Sequence, residues 1–255
     1  MKHILACIDG SQHTQSVCRL SAWAAEKTGN PVTLLHVVPA YSEAALYADL
    51  SGQIGLGAKT DLMDDLVKVD AERGKLEQKK GQIMLTQASA ALTQLGATAH
   101  KTAHRRGTLV DTVTEMESDT SLIVIGKRGE TSSATDHLGA NFERVSRAVH
   151  TPVLVATKEA KPITRFLIAY DGSPNSKKAL DFVCSGNLLS DTECHILTVG
   201  ADTAENRAAL NAAKTALSNA GFQVKASLAS APSIDNTVST YVEDNQINLL
   251  VMGAY

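Results

Sequence analysis

The residues after the predicted fourth strand have the types and spacing of a phosphate-binding loop. The apolar segment 121–126 ends in a glycine, and two basic residues and a second glycine follow it. After nine further residues, a third glycine begins a helix. Glycine lets the backbone approach a ligand closely, and the free N–H groups of a helix N-terminus attract phosphate. Glycines after a strand are also ordinary turn residues, so both interpretations stay open here. The residues concerned are Gly126, Lys127, Arg128, Gly129, Gly139, Ala140 and Asn141.

A carboxylate follows the first predicted strand, in the sequence Asp9-Gly10-Ser11. Open parallel sheets bind ligands at the carboxyl edge of their strands, where the strand order reverses. If the first and fourth strands are neighbours, Asp9 faces the Gly126 loop across this crevice and is placed to bind ribose hydroxyls or a metal. The alternative is helix capping, because Asp and Ser are common just before a helix.

The remaining motifs predict no catalytic residue and no metal site. Residues 52–60 resemble a P-loop, but Ala58 separates the last glycine from Lys59 and no strand precedes the segment. His100 and His104 share one face of a strand without a Cys, Asp or Glu at matching spacing, which favours hydrogen-bonded or solvated imidazoles over metal ligands. No pattern typical of an activated nucleophile or a carboxylate pair occurs.

The elements that must position these residues alternate between short apolar strands and longer helices. Such alternation predicts right-handed crossovers and a doubly wound parallel sheet. Residues 40–58, rich in Gly, Ala and Ser, predict a loop or lid, and the charged stretch 61–80 predicts the solvated face of a long helix. Strands are predicted at 3–8, 32–38, 97–104, 121–126 and 152–156, and helices at 12–28, 60–95, 108–118 and 140–149.

An internal repeat divides the chain into two copies of one domain. The segment Ile4–Ser11 recurs as Phe166–Ser173, an offset of 162 residues, which is too long for a solenoid repeat. The polar stretch 157–162 is the predicted linker, giving domains at 1–160 and 161–255. The second copy repeats the pattern through its fourth strand, so we expect it to lack the last helix and strand.

Composition excludes several classes of protein. Hydrophobic residues make up 44% of the 255 residues and charged residues 20%, so the chain has enough apolar side chains for a folded core. The net charge of −3 and an aromatic content of 4% argue against a nucleic-acid surface. No apolar run is long enough for a membrane span. The four cysteines lack zinc-finger spacing and no signal-peptide pattern precedes the first strand, so we predict a cytoplasmic protein.

These motifs together resemble the universal stress protein family, and the chain resembles a tandem member. The resemblance rests on Asp9-Gly10-Ser11, the second strand at 34–38, the Gly-x2-Gly-x9-Gly spacing and the closing segment 151–155. It implies a five-stranded parallel sheet in the order 3-2-1-4-5, covered by helices on both faces. It also implies that the two copies pack as an internal pseudo-dimer, with further dimerisation as an option.

The resemblance further implies an adenine-nucleotide site in the first copy. Asp9 would contact the ribose, the backbone of Val37 would meet the adenine, and Gly126, Gly129 and Gly139 would hold the phosphates of ATP or AMP, with Mg²⁺ as an optional companion. The family has Ser or Thr after the third glycine, whereas this chain has Ala140 followed by Asn141, and Lys127 and Arg128 compensate in part. In the second copy Asp171, Val199 and Gly253 match and mark a possible second site.

Three functions remain open from the sequence. The one we favour is a non-enzymatic stress-response regulator that binds an adenine nucleotide in its first domain. The alternatives are a nucleotide-free interaction scaffold, which the substitution at Ala140 favours, and a slow ATP hydrolase in which Asp9 is essential.

Overall fold

The computed structural model describes residues 2–38, 56–129 and 139–253, which fold into two α/β units. The boundary between the units falls between Glu159 and Ala160. None of the helices in the described ranges combines the length and apolar character that crossing a membrane requires.

The first unit is a five-stranded parallel sheet with helices on both faces. Its strand order is β3-β2-β1-β4-β5, which confirms the predicted order and makes β1 and β4 direct neighbours. Because the chain winds outward from β1 in both directions, the strand order reverses between β1 and β4. Its elements are β1 (His3–Cys7), α1 (Thr14–Thr28), β2 (Val32–Val38), α2 (Leu56–Gln94), β3 (His100–Arg106), α3 (Leu109–Met116), β4 (Thr120–Gly126), α4 (Ala140–Ala148) and β5 (Val153–Ala156).

Burial explains why the central strands read as continuous apolar runs. Every residue of β1 is buried, because helices cover both faces of the sheet. On one face, Leu5, Leu35 and Ile123 pack against Val113 of α3 and Val145 of α4. β3, at the edge, carries exposed polar residues, which protects the unpaired edge from association with other strands.

Two predicted boundaries differ from the structure by more than two residues. The third strand begins at His100 rather than 97, because the helix ends through Gly96 at φ 86° and the N–H of Ala97 donates back to the carbonyl of Leu92. The loop predicted at 40–58 lies outside the described residues up to 55, and 56–58 already belong to α2. Extending an existing helix costs far less than starting one, so α2 continues past the predicted start at 60.

The second unit is a four-stranded parallel sheet in the order β8-β7-β6-β9. This confirms a second copy that follows the pattern through its fourth strand. Its intervening helix α6 has 16 residues where α2 has 39, which accounts for most of the length difference between the copies. Its elements are β6 (Arg165–Ala169), α5 (Pro174–Ser185), β7 (Glu193–Val199), α6 (Ala204–Asn219), β8 (Val224–Ala229), α7 (Ile234–Asp244) and β9 (Leu249–Met252).

Candidate nucleotide-binding cleft

A cleft of about 250 Å³ opens at the carboxyl edge of the first sheet, over the point where the strand order reverses. Its walls come from the ends of β1, β2 and β4 and from the first residues of α1, α3 and α4. This is the position at which open α/β sheets bind ligands, since loops from both halves of the sheet diverge there.

Seven of the nine residues predicted for the first site line this cleft, namely Asp9, Val37, Gly126, Arg128, Gly129, Gly139 and Asn141. The other two, Lys127 and Ala140, do not line it. The backbone of Lys127 is hydrogen-bonded to other parts of the first unit: its N–H donates to the carbonyl of Ala156 in β5, and its carbonyl accepts the N–H of Gly139. Ala140 is exposed on the first turn of α4.

Asp9 faces the glycine loop, as the sequence predicts for neighbouring first and fourth strands. One carboxylate oxygen, Oδ1, accepts the N–H of Ser11 at 3.0 Å. The other, Oδ2, lies only 3.1 Å from where a Cβ on Gly129 would stand. Ser11 Oγ in turn accepts the N–H of His13 at 3.3 Å, so Asp9 and Ser11 each hold the turn that leads into α1 at Thr14. The Asp9 carboxylate is therefore presented to the cleft beside the loop.

The three glycines are required for different reasons. A Cβ on Gly126 would lie 2.8 Å from the Cβ of His13, so this glycine lets the end of β4 pack against the start of α1. A Cβ on Gly139 would lie 3.1 Å from Arg128 Cα, so this glycine lets the two sides of the loop approach. Only Gly129 has a polar side-chain group, the Asp9 carboxylate, as its nearest neighbour.

The N-terminus of α4 forms the polar end of the cleft. Gly139 is the N-cap of this nine-residue helix and supplies no side chain to cap it. The first N–H groups of a helix have no partner within it, and together with the helix dipole they favour an anion. Arg128 adds positive charge on the cleft wall. The electrostatics of this end therefore suit a phosphate group.

The cleft also contains residues that the sequence analysis missed. His13 is 4% exposed, and its Nδ1 has no hydrogen-bond partner among the described residues. Burial lowers the pKa of His13; the Asp9 charge opposes this, and Arg128 adds to it, so the ring is neutral near pH 7. Leu109 and Phe142 give the cleft an apolar wall. The rule that ligands meet the loops after parallel strands would have pointed to the segment 107–109, which follows β3.

Cys7, which lines the cleft, has a thiol that burial keeps protonated. Burial, aided by the nearby Asp9 carboxylate, raises the pKa of its thiol to about 12. Since the thiolate is the reactive form, this side chain serves as a small apolar residue. Cys18 and Cys194 are buried in the same way, whereas Cys184 is only half-buried.

Comparison with known proteins settles the family. The model of the universal stress protein family matches residues 1–157. The chain is also 38% identical to universal stress protein Slr1230 of Synechocystis sp. over 259 residues, which span 100% of this chain and 90% of that relative. The chain belongs to the universal stress protein family. The resemblance drawn from the motifs is thus confirmed.

A solved universal stress protein shares the fold. The protein from Archaeoglobus fulgidus DSM 4304 superposes with a TM-score of 0.71 at 18% identity, covering 98% of this chain and 86% of its own. A universal stress protein from Archaeoglobus fulgidus in complex with dAMP covers 61% of this chain and 98% of its own, at 19% identity and a TM-score of 0.38.

The second unit of this universal stress protein carries part of the same arrangement. Asp171 Oδ1 accepts the N–H of Ser173 at 2.9 Å, as Asp9 does from Ser11. Hydrogen bonds from Ser173, led by its hydroxyl, lower the pKa of Asp171, so this carboxylate is ionised. Val199 ends β7, and Gly253 follows β9 against the first turn of α5, where a Cβ would lie 2.5 Å from the carbonyl carbon of Asn175. The three residues thus lie at the carboxyl ends of neighbouring strands.

Proposed function

We propose that this universal stress protein is a regulatory protein that binds one adenine nucleotide, ATP or AMP, in the cleft of its first unit. The observation that carries the proposal is the pairing, within one cleft, of the Asp9 carboxylate with the N-terminus of α4, whose N-cap Gly139 has no side chain. A carboxylate at one end and N–H groups without an intrahelical partner at the other suit a ligand that has hydroxyls at one end and phosphate at the other.

The lining residues assign the parts of a nucleotide. The base lies against the apolar wall near Val37 and Leu109, and the ribose hydroxyls donate to Asp9. The phosphates then meet the N–H groups at the start of α4 and the positive charge of Arg128. If Mg²⁺ accompanies ATP, its ligands are chiefly phosphate oxygens and water.

The first test is the identity and amount of nucleotide released by acid from gently purified, full-length protein, measured by mass spectrometry. We expect about one equivalent of adenine nucleotide per chain. Two equivalents would assign a second site to Asp171, Val199 and Gly253. Release of nothing, together with no thermal shift on adding ATP and Mg²⁺, would contradict the proposal, because a ligand that binds the native state stabilises it.

Carboxylate substitutions in the loop test the location of the site. In Gly139→Asp the new side chain stands at the N-cap and takes the N–H groups that phosphate would use. In Gly129→Asp it stands beside the Asp9 carboxylate and repels phosphate. We expect both to lower ATP affinity by tenfold or more, that is by about 1.4 kcal/mol or more. The matched control is Gly74→Asp on α2, where a Cβ meets nothing within 4 Å; equal affinity in all three variants would place the site elsewhere.

A nucleotide-free interaction scaffold is the second candidate, favoured by Ala140 at the first position of α4. An alanine there has no hydroxyl to donate to a phosphate. This candidate predicts an unchanged thermal transition at millimolar ATP. ATP turnover faster than about 1 s⁻¹ that Asp9→Ala abolishes would instead favour the hydrolase alternative.

A further inference from the structure

A row of exposed aliphatic side chains runs along α2, away from the nucleotide cleft. Val69, Leu76 and Ile83 are 60%, 66% and 50% exposed. They stand seven residues apart, which is about 20° short of two full helical turns, so the three side chains lie in one row. Single exposed aliphatic residues are ordinary in folded proteins, whereas several aligned on one helix face are typical of an interaction surface.

The row lies on the face of α2 that is opposite the core. Leu85 and Leu92, which are buried beneath the helix, follow Leu76 and Ile83 by nine residues each. Nine residues make about two and a half turns, so the row points away from the sheet on which α2 packs. The exposure of its members shows that the described parts of the chain leave the row uncovered.

α2 is much longer than the strands that support it. Its 39 residues extend about 58 Å, whereas β2 and β3, against which it packs, have seven residues each and extend about 23 Å. Its buried residues begin at Gly81, and the residues described between 68 and 80 are all exposed or half-buried. Because helices in proteins gain most of their stability from packing an apolar face, this part of α2 is suited to a further partner.

The charged residues beside the row determine which partner fits. Arg73 and Lys80 each follow a member of the row by four residues, which completes the alternating spacing of a coiled-coil seam. Against a parallel copy of α2, each of these cations would meet its own equivalent and repel it. Against an antiparallel copy, Arg73 lies opposite Leu76, and its methylene stem covers the leucine. In the same register, Lys80 lies opposite Val69.

The antiparallel register also pairs opposite charges on the flank of the seam. Glu72 of one helix lies beside Lys79 of the other, and two-fold symmetry forms this pair twice. In the parallel arrangement Glu72 would instead lie beside Glu77 of the other helix, with the same charge. The charge pattern therefore fits a second copy of the same helix in antiparallel orientation.

We propose that α2 is a homodimerisation surface, through which two copies of the chain associate by an antiparallel pair of α2 helices. Val69, Leu76 and Ile83 form the apolar seam. The seam is short, so the dimer exchanges with the monomer and is not obligate. Because the row faces away from the sheet and α2 does not line the nucleotide cleft, the two copies can associate with or without a nucleotide.

The test is sedimentation velocity of untagged, full-length protein at concentrations from about 1 to 100 μM, the range of a weak complex. We expect a reversible equilibrium between monomer and dimer. Leu76→Glu should raise the dissociation constant at least about tenfold, because it removes the central leucine of both copies from the seam. The matched control is Ile234→Glu on α7 of the second unit, which replaces a residue of similar exposure, 62%, and should associate as the wild type does.

A charge swap tests the antiparallel register. Glu72→Lys and Lys79→Glu should each weaken the dimer about fivefold or more, because each turns both flanking pairs from attractive to repulsive. The double variant that carries both substitutions should associate as the wild type does. A wild type that stays monomeric at the highest concentration, a dimer that Leu76→Glu leaves unchanged, or a double variant no tighter than the single ones would overturn the proposal.

Discussion

Alanine substitutions at two glycines of the cleft should separate a packing role from a ligand-binding role. A Cβ at position 126 would stand 2.8 Å from His13 Cβ, an atom fixed to the backbone at the start of α1. A Cβ at position 129 would stand 3.1 Å from Asp9 Oδ2, the free end of a side chain that can rotate away. We therefore expect Gly126→Ala to cost stability and Gly129→Ala to cost nucleotide affinity.

The magnitudes follow from what each methyl group displaces. Forcing an extra carbon into a packed region costs about 1–3 kcal/mol, which we expect for Gly126→Ala. Gly129→Ala displaces only the Asp9 carboxylate, so the free energy of unfolding of this variant should stay within about 0.5 kcal/mol of the wild type. A hydrogen bond to a charged group contributes about 1.5–3 kcal/mol, so displacing Asp9 from the ribose should lower affinity by about tenfold or more.

The assay uses the single tryptophan of the chain, Trp23, which lies on α1 in the first unit. Its fluorescence during urea unfolding of the nucleotide-free protein reports the first unit, and ATP titration gives the affinity. Gly74→Ala on α2 is the control: its methyl group meets nothing within 4 Å, and alanine favours the helix by about 0.5–1 kcal/mol.

Two results would refute this division of roles. One is a Gly129→Ala variant that unfolds at the same reduced urea concentration as Gly126→Ala. The other is a Gly126→Ala variant with wild-type stability and lost affinity, since it would mean that position 126 serves the ligand rather than the contact with His13.

Three further predictions concern single side chains. Ala140→Ser should strengthen ATP binding about two- to tenfold in calorimetry, because it supplies a hydroxyl worth about 0.5–1.5 kcal/mol at the first residue of α4; unchanged affinity would mean that a hydroxyl at this residue, which does not itself line the cleft, fails to reach the phosphate. Burial would raise the pKa of Glu117, but N–H donors of Thr151 and His150 outweigh it and lower the pKa, so the stabilisation is complete above pH 4.5 and is lost as the pH falls below that value. Glu117→Gln should therefore lower the free energy of unfolding by about 1 kcal/mol at pH 7 and make stability fall less steeply than in the wild type as the pH drops below 4.5. A fall as steep as that of the wild type would contradict this role of Glu117. Tyr241→Phe should lower the free energy of unfolding by about 1–3 kcal/mol, because it removes the hydrogen-bond partner of buried His195 Nδ1. Urea unfolding monitored by circular dichroism measures this loss, and an unchanged free energy would mean that water replaces the phenol.

The sheet and the main elements of the cleft were predictable because they depend on chain order. Alternating strands and helices determine a parallel sheet, and in a parallel sheet every residue that follows a strand reaches the same edge. Asp9 and Gly129 could thus be placed at one edge of the sheet, and the strand order that the family resemblance implies places them opposite each other. The exact limits of strands depend instead on local turns, such as the one at Gly96 that delays β3 to His100.

The contact between the rings of His36 and His104 was not predictable in this way, because it depends on the register of two strands. Nothing in the spacing of residues 36 and 104 indicates that they meet; their contact follows from how β2 and β3 align over seven residue pairs. His13 is a similar case, since its burial depends on how α1 approaches the end of β4 at Gly126. Sequence spacing identifies neighbours within an element, whereas contacts between elements require the aligned structure.

The two copies show which part of the glycine motif concerns structure alone. Gly10 and Gly172 follow the first strand of each unit with φ of 77° and 75°, and both precede a serine whose N–H binds the preceding aspartate. Gly126 ends β4 against His13, just before α1, and Gly253 follows β9 against Asn175 in the first turn of α5; a Cβ would come within 2.8 Å and 2.5 Å of these neighbours. Packing requires these glycines whether or not a nucleotide binds, so they mark the fold. The evidence for a phosphate site therefore rests on Gly129, beside the Asp9 carboxylate, and on Gly139, which as N-cap of α4 brings no side chain to its first N–H groups.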